Sequence, residues 1–291
     1  MATGEPEQLF VEREGLRIAA LDWGGDGEPL LLLHPTGFCA GLFHPLALRL
    51  GDRYRPFAID ARAHGGTDTP TTRDGFSFER IADDVVALLD HLGIDGCVAL
   101  GESLGGGVGA LVDAARPGVV RHLMLCEAIA FDPAAFRGRP GAAPEGDGDN
   151  YMATAARKRR PVWPDRATVR MSYASRPPLD ALEPDALDAY VRWGFLDRPD
   201  GTIELACAPE DEATLFEMAG HEHSAPAAWQ HLADLSCAAT VLYGDESNLP
   251  GAWFEAQAER AAAPLVVVAG GHLFLQEDTV RAEALVREHL A

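Results

Sequence analysis

The sequence is short of three features, and each shortage excludes a class of protein. It has only five cysteines in 291 residues and no Cys-x-x-Cys pair, which argues against a disulfide framework and favours a reducing compartment. It has no apolar run near the roughly 18 residues that a membrane-spanning helix needs. Its first residues lack the basic and apolar regions of a secretion signal. We therefore expect a cytoplasmic protein.

Positive charge is also scarce. Lysine and arginine number 24 against 45 aspartates and glutamates, which gives a formal net charge of −21. Such a surface repels phosphate backbones and anionic lipids, so we expect neither nucleic acid nor a membrane as partner. A small-molecule substrate is the expected partner, and a homodimer is an open alternative to a monomer.

Short apolar runs typical of buried strands alternate with amphipathic helical stretches in two parts of the chain. The predicted strands are 9–12, 16–23, 29–34, 54–60, 97–101, 120–126, 240–243 and 265–268. The main predicted helices are 78–92, 252–263 and 279–290. This alternation predicts an α/β fold whose mostly parallel sheet carries helices on both faces.

The alternation stops between residues 131 and 235, where the sequence shows helical stretches and Gly/Pro-rich loops. An insertion of this length is far longer than the usual connection between elements, so we expect a structured helical lid. The predicted domains are a core of residues 1–130 and 236–291 and a lid of residues 131–235.

A Gly-x-Ser-x-Gly sequence lies where a strand-like run meets a helical one. Its residues are Gly101, Glu102, Ser103, Leu104 and Gly105. In such an elbow the serine backbone is strained, so the positions two before and two after it must be small. The turn lifts the serine hydroxyl clear of the sheet edge and directs a helix N-terminus at any oxyanion formed there. The alternative interpretation is a structural glycine-rich turn with a solvent-facing serine.

A serine nucleophile needs a base that takes its proton. Among ten histidines, His272 follows the last predicted strand. It therefore lies at the carboxyl edge of the sheet, where Ser103 also lies and where open sheets bind ligands. We predict His272 as the base.

The base needs a carboxylate that orients it, and two places in the sequence could supply one. Asp245 and Glu246 follow the strand 240–243, the commoner position in this topology. Glu127 follows the strand 120–126, where a carboxylate at the tip of an apolar strand is costly unless it is paired. We favour Glu127 and keep Asp245 and Glu246 as alternatives.

Together these motifs resemble the α/β-hydrolase superfamily. The matching segments are the His34-Pro35-Thr36-Gly37 turn, the Asp60-x-Arg62-x-His64-Gly65 stretch, the Gly101–Gly105 elbow and Gly271-His272. Residues 125–130 are similar to the segment that carries the triad glutamate of haloalkane dehalogenases, and to the Glu-Pro segment of a hydrolase/acyltransferase group. The resemblance implies an eight-stranded sheet, a lid after the sixth strand, and an oxyanion hole formed by the backbone N–H groups of Thr36 and Leu104.

We therefore expect a hydrolase in which Ser103 attacks an ester, thioester, lactone or similar activated carbonyl through an acyl-enzyme. Dehalogenases attack with an aspartate, so the serine excludes their mechanism. No cofactor and no metal are expected, because His221 and His223 lack a third ligand at suitable spacing. Two alternatives are open: acyl transfer by the same residues, and a receptor-like protein that binds without turnover.

Substrate contacts are harder to place, because the specificity surface lies in the irregular lid. Our candidates are Glu102, Phe38, Trp163 and Trp193. The lid also carries a basic run, Arg157, Lys158, Arg159 and Arg160. We expect this run to pair with acidic neighbours, and a gate for anionic substrates is the alternative.

Overall fold

An eight-stranded sheet organises the structure, a computed structural model that describes residues 4–136 and 150–290. The strands in the described residues are β1 (Glu7–Arg13), β2 (Leu16–Asp22), β3 (Glu28–Leu33), β4 (Tyr54–Ile59), β5 (Cys97–Glu102), β6 (Val120–Cys126), β7 (Val162–Trp163), β8 (Phe195–Asp197), β9 (Ile203–Leu205), β10 (Ala238–Gly244) and β11 (Leu265–Val268). The sheet order is β1-β2-β4-β3-β5-β6-β10-β11. The β1–β2 and β2–β4 pairs are antiparallel and the others are parallel, as the alternating pattern predicts.

Helices cover both faces of this sheet. In the described residues they are α1 (His44–Leu50), α2 (Phe78–Leu92), α3 (Leu104–Ala115), α4 (Pro133–Phe136), α5 (Tyr151–Arg157), α6 (Arg166–Tyr173), α7 (Pro184–Trp193), α8 (Pro209–Met218), α9 (Ala225–His231), α10 (Gly251–Arg260), α11 (Phe274–Glu277) and α12 (Thr279–His289). Short 3₁₀ helices lie at Ala40–Phe43, Arg73–Phe76 and Leu179–Ala181. Within the described ranges, no helix combines the length and apolar character needed to cross a bilayer.

Alternation along the central strands separates two apolar cores. In β5, Cys97 and Ala99 pack with α2, α3, α9 and α10, whereas Val98 and Leu100 pack with α1 and α12. Because side chains alternate between the two faces of a strand, a strand covered on both faces must be apolar throughout. The long apolar runs of the sequence have this origin.

The lid segment, whose described part is 131–136 and 150–235, holds more than helices. Besides α4 to α9 it contains a small antiparallel sheet in the order β7-β9-β8, which the sequence pattern does not predict. These strands have two or three residues each, too few to show a period of two. The last lid helix, α9, packs into the same core cluster as α3, through Ala225 and Ala228. The division into core and lid stays a prediction.

Candidate active site

Ser103 occupies a strained turn between β5 and α3. Its φ is 55° and its ψ is −117°, a region that non-glycine residues rarely adopt. A Cβ atom at Gly101 would lie 2.3 Å from the carbonyl oxygen of Gly105, and one at Gly105 would lie 2.1 Å from that of Leu33. Both distances are far below van der Waals contact, so the two glycines are required for the turn to fit against its neighbours.

Hydrogen bonds of two buried histidines, His34 and His64, hold the turn that follows β3. Nε2 of His64 accepts a hydrogen bond from the N–H of Gly37 at 2.9 Å, and its Nδ1 lies 3.0 Å from the carbonyl oxygen of Arg62. Nε2 of His34 likewise accepts from the N–H of Ala61 at 3.0 Å. Each ring therefore accepts through Nε2, which fixes it as the neutral tautomer with the proton on Nδ1.

The two residues expected to form the oxyanion hole follow adjacent strands of the sheet. Thr36 lies in the turn after β3, and Leu104 is the first residue of α3, directly after β5. β3 and β5 pair in parallel, so their carboxyl ends lie side by side. An N–H in the first turn of a helix has no partner within that helix and lies at the positive end of its dipole. The placement suits an oxyanion hole, a role that stays a prediction for Thr36 and Leu104.

Glu127 lies at the tip of β6 with a buried carboxylate that accepts three hydrogen bonds. Oε1 accepts from the N–H of Gly244 at 2.7 Å, and Oε2 accepts from the hydroxyl of Ser247 at 2.7 Å. Nδ1 of His272 lies 2.9 Å from the same Oε2. The φ of Glu127 is 51°, so its backbone, like that of Ser103, is in a conformation rare for a residue with a side chain.

The two alternative carboxylates lie elsewhere. Asp245 and Glu246 follow β10 in an exposed loop, and Oδ1 of Asp245 accepts from the N–H of Gly270 at 3.0 Å. The structure therefore brings Glu127, and neither alternative, into contact with His272.

Of the two contacts expected among Ser103, His272 and Glu127, the structure shows the one between His272 and Glu127. With Nδ1 of His272 facing Glu127, the ring presents Nε2 as the proton acceptor. Among the described residues, no hydrogen bond joins the Ser103 hydroxyl to this imidazole. Catalytic contacts of this kind often tighten only when substrate is bound. The contact between Ser103 and His272 is therefore part of the proposal below.

The model of the alpha/beta hydrolase fold family matches residues 28–199, more than half of the chain. The chain belongs to the alpha/beta hydrolase fold family. This agrees with the resemblance carried by the elbow and by the stretch from Asp60 to Gly65.

The following individual proteins resemble this alpha/beta hydrolase and share between 20% and 34% of its residues over the matched lengths. The 2-(acetamidomethylene)succinate hydrolase of Mesorhizobium japonicum is 34% identical over 109 residues, 38% of this chain and 37% of that protein. The dihydrolipoyllysine-residue acetyltransferase component of the acetoin cleaving system of Cupriavidus necator is 27% identical over 286 residues, 97% of this chain and 68% of that protein. The crystal structure of E-2-(acetamidomethylene)succinate hydrolase has a TM-score of 0.81 at 20% identity, covering 98% of this chain and 99% of that chain, which shows a shared fold. The match spans less than half the length of the first curated relatives.

The four candidate substrate contacts have different surroundings. Phe38 follows the turn after β3 and its ring centroid lies 4.7 Å from that of Tyr190. Trp163 is buried in the lid core, and its indole N–H donates to the carbonyl of Arg160 at 2.9 Å. Trp193 packs against His44, with ring centroids 4.9 Å apart. Glu102 is fully buried. Direct substrate contact stays a prediction for all four.

Two arginines of the basic run, Arg157 and Arg159, pair with nearby carboxylates. Arg157 forms ion pairs with Glu210 and Glu217, each at 2.8 Å. Arg159 forms an ion pair with Glu212. These contacts neutralise both guanidinium groups and favour a structural role over a gate for anions.

A lid tyrosine ties this pair to the core. The hydroxyl of Tyr190 accepts from Arg159 Nη2 at 2.7 Å and donates to the carbonyl oxygen of Gly37 at 2.9 Å. The turn after β3 is thus held from the core by His64 and from the lid by Tyr190.

No cluster of three or more metal-ligating side chains occurs in the described part of the chain. Nδ1 of His223 lies 3.0 Å from a carboxylate oxygen of Glu79, which gives this loop histidine a partner of its own. The rings of His221 and His223 are tilted by 44° to each other, with centroids 5.4 Å apart.

Sequence reasoning missed three side chains that hold the site together: Ser247, Tyr190 and Gln276. Ser247 lies in the same loop as Asp245 and Glu246. A hydroxyl in this loop is a sequence signal for a donor to a carboxylate on a neighbouring strand, here Glu127. Tyr190 and Gln276 leave no local signal, since each acts through a contact across more than 150 residues.

Removing the charge of Glu127 should impair the site far more than removing that of either alternative carboxylate. We expect Glu127→Gln to lower kcat about 10³- to 10⁴-fold, because a neutral amide no longer fixes the tautomer or stabilises the imidazolium. Asp245→Asn and Glu246→Gln, the matched controls, should each lose less than about tenfold. Steady-state kinetics on an activated ester measures all three, and the opposite ranking would show that Glu127 is not the acid.

Acid should destabilise the turn after β3 through two buried histidines: His34 within the turn, and His64, which accepts from the N–H of Gly37. Burial lowers the pKa of His34 to about 4 and that of His64 to about 3, against about 6.5 in an unfolded chain. Below pH 6.5 the unfolded chain therefore binds protons that the folded chain does not, and stability falls as the pH falls. Buried Asp60 acts in the opposite sense, since burial raises its pKa to about 6.

A difference measurement isolates the histidine contribution. Relative to His64→Gln, the wild type should lose about 1.4 kcal/mol of unfolding free energy for each pH unit between 6.5 and 4. Urea unfolding at several pH values measures this difference. A difference that stays constant over the range would mean that His64 is not held neutral.

Proposed function

We propose that the protein is a serine hydrolase whose nucleophile, base and acid are Ser103, His272 and Glu127. The observation that carries the proposal is the buried carboxylate of Glu127 bound to Nδ1 of His272, at the strand tip adjacent to the strained Ser103 turn. Strain at both strand tips supports a functional site, because strained backbone persists only where the surrounding structure enforces it.

The first step forms an acyl-enzyme. The Ser103 hydroxyl attacks the substrate carbonyl while Nε2 of His272 takes its proton, and the carbonyl oxygen becomes an oxyanion. The N–H groups of Thr36 and Leu104 donate to that oxyanion. Removing one such donor from comparable enzymes costs about 2.7–4 kcal/mol of transition-state stabilisation. His272 then returns the proton to the leaving group.

The second step releases the acid. His272 removes a proton from water, which attacks the acyl carbonyl, and Ser103 leaves with the returned proton. Glu127 accepts from Nδ1 throughout and stabilises the positive imidazolium. Every proton moves between groups of this chain, the substrate and water, so the proposed reaction needs no cofactor.

The substrate class we propose is a small molecule with an ester, thioester, lactone or similar activated carbonyl. A serine nucleophile attacks such a carbonyl. A hydrolase among the relatives supports hydrolysis as the type of reaction. The fold hosts many activities, so the name of one relative does not transfer to this chain.

A covalent probe tests the nucleophile. A fluorophosphonate should label the wild type and fail to label Ser103→Ala, because only an activated serine reacts with it. Ser175→Ala, which changes an exposed lid serine, should label like the wild type. Mass spectrometry of the labelled peptide identifies the residue. Absence of labelling in the wild type would contradict the proposal.

Acyl transfer is a second candidate, supported by the match to an acetyltransferase component over 97% of this chain. An acyl-enzyme can be resolved by an alcohol, amine or thiol in place of water. If transfer is the function, turnover of an activated ester should rise at least about tenfold when such an acceptor is added. Chromatography of the products distinguishes the transferred acyl group from the free acid.

The same chromatography addresses the third alternative, a receptor that binds without turnover. An activated ester recovered unchanged after incubation with the protein would favour this alternative.

A further inference from the structure

The residue before the nucleophile carries a buried carboxyl that the reaction above does not use. Glu102 is fully buried at the end of β5. Its Oε2 accepts a hydrogen bond from Nε2 of Gln276 at 2.9 Å. Its Oε1 has no hydrogen-bond partner, and neither does Oε1 of the equally buried Gln276.

Two orphaned acceptors in one buried pair are unusual, because a buried polar atom without a partner costs about 1–3 kcal/mol. A carboxylate has no donor, so it leaves the amide oxygen of its partner without a hydrogen bond. A carboxylic acid and an amide can form two reciprocal hydrogen bonds, because the acid O–H donates to the amide oxygen. One proton on Oε1 of Glu102 would therefore provide a donor for Oε1 of Gln276 and remove both orphans.

The surroundings of Glu102 also disfavour its charge. The charged groups that act on it are Glu127 at the tip of β6 and Glu277 on α11, both carboxylates. The thiol of Cys126 on β6 stays neutral, since burial above all, together with the carboxyls of Glu102 and Glu127, holds its pKa well above its ordinary value. Burial, more than the carboxylates, raises the pKa of Glu102 to about 8.

Gln276 connects Glu102 to the base. It lies on α11, the short helix that begins two residues after His272. The next residue on α11, Glu277, accepts through Oε2 from the N–H of Gly271 at 2.8 Å. α11 is therefore bound on one side to the residue before Ser103 and on the other to the residue before His272.

We propose that Glu102 is a protonated positioning residue, whose acid–amide pair with Gln276 holds α11 and with it the His272 loop at the right distance from Ser103. The proposal deepens the proposed function and rests on it for the identity of nucleophile and base. Ionisation of Glu102 breaks the bond to Gln276 Oε1 and adds a third negative charge beside Glu127 and Glu277. The pair is therefore intact at low pH and lost as the pH rises through the pKa of Glu102.

The test uses the rate of fluorophosphonate labelling of the full chain between pH 6 and 10. In the wild type the rate should fall as the pH rises above about 8. Glu102→Leu should slow labelling at pH 7 more than about tenfold, because it removes the pair. Glu102→Gln copies the neutral acid, since two amides also form two reciprocal bonds. It should recover most of the lost rate and abolish the alkaline fall.

Exchanging the two side chains separates the pair from either residue alone. Glu102→Gln combined with Gln276→Glu restores an acid–amide pair in the reverse order. This double variant should recover the wild-type rate within about threefold and regain the alkaline fall. Glu255→Gln, the same substitution on the exposed face of α10, should change neither. Loss of labelling in Glu102→Gln equal to that in Glu102→Leu would overturn the proposal, because it would show that a neutral hydrogen-bonding side chain does not replace the carboxyl of Glu102.

A second readout does not depend on the nucleophile. With ¹³C-labelled glutamate carboxyls, one resonance should titrate near pH 8 in the wild type and be absent from Glu102→Gln. A Glu102 resonance that titrates in the ordinary glutamate range overturns the proposal, whatever the labelling shows. If the wild type is not labelled at all but the resonance titrates near pH 8, the proposed function fails while the protonated pair stands.

Discussion

The candidate site depends on the hydrogen bonds that the carboxylate of Glu127 accepts. It is fully buried, and a buried charge is strongly unfavourable unless hydrogen bonds replace its lost water. Three donors from separate parts of the chain supply them: Gly244 at the end of β10, Ser247 in the next loop, and His272 after β11. The same bonds that make the charge tolerable also fix the imidazole, so stability and site geometry have one cause.

Parallel strands explain why residues so far apart in sequence meet. β5, β6, β10 and β11 are consecutive in the sheet and point the same way, so everything directly after them lies along one edge. Ser103, Glu127 and the loop after β10 follow these strands without a spacer. With Glu127 at the tip of β6, the loop after β10 contributes a donor to its carboxylate, the hydroxyl of Ser247.

The sequence predicts what local patterns encode. The bounds of α2 and β11 agree with the predicted 78–92 and 265–268, since a long helical stripe and an apolar run between turns are strong signals. The sequence pattern does not predict α1, because this helix has only seven residues, with proline at its second position. The pairing of Glu127 with His272 can be argued from the cost of an unpaired buried carboxylate. No local pattern predicts that the hydroxyl of Tyr190 donates to the carbonyl oxygen of Gly37. Such contacts join residues far apart in the chain, and no sequence period encodes them.

Two glutamates at neighbouring strand ends illustrate how environment assigns different roles to one side chain. Glu127 accepts three hydrogen bonds, one of them from the imidazole, whereas Glu102 accepts one from a neutral amide. A charge is stabilised where donors converge and disfavoured where burial is accompanied only by other carboxylates. Environments that separate the protonation states of two acids are how one site obtains both a charged and a neutral carboxyl. A neutral Glu102 can therefore position the His272 loop through Gln276, while Glu127 accepts the hydrogen bond from Nδ1 of His272.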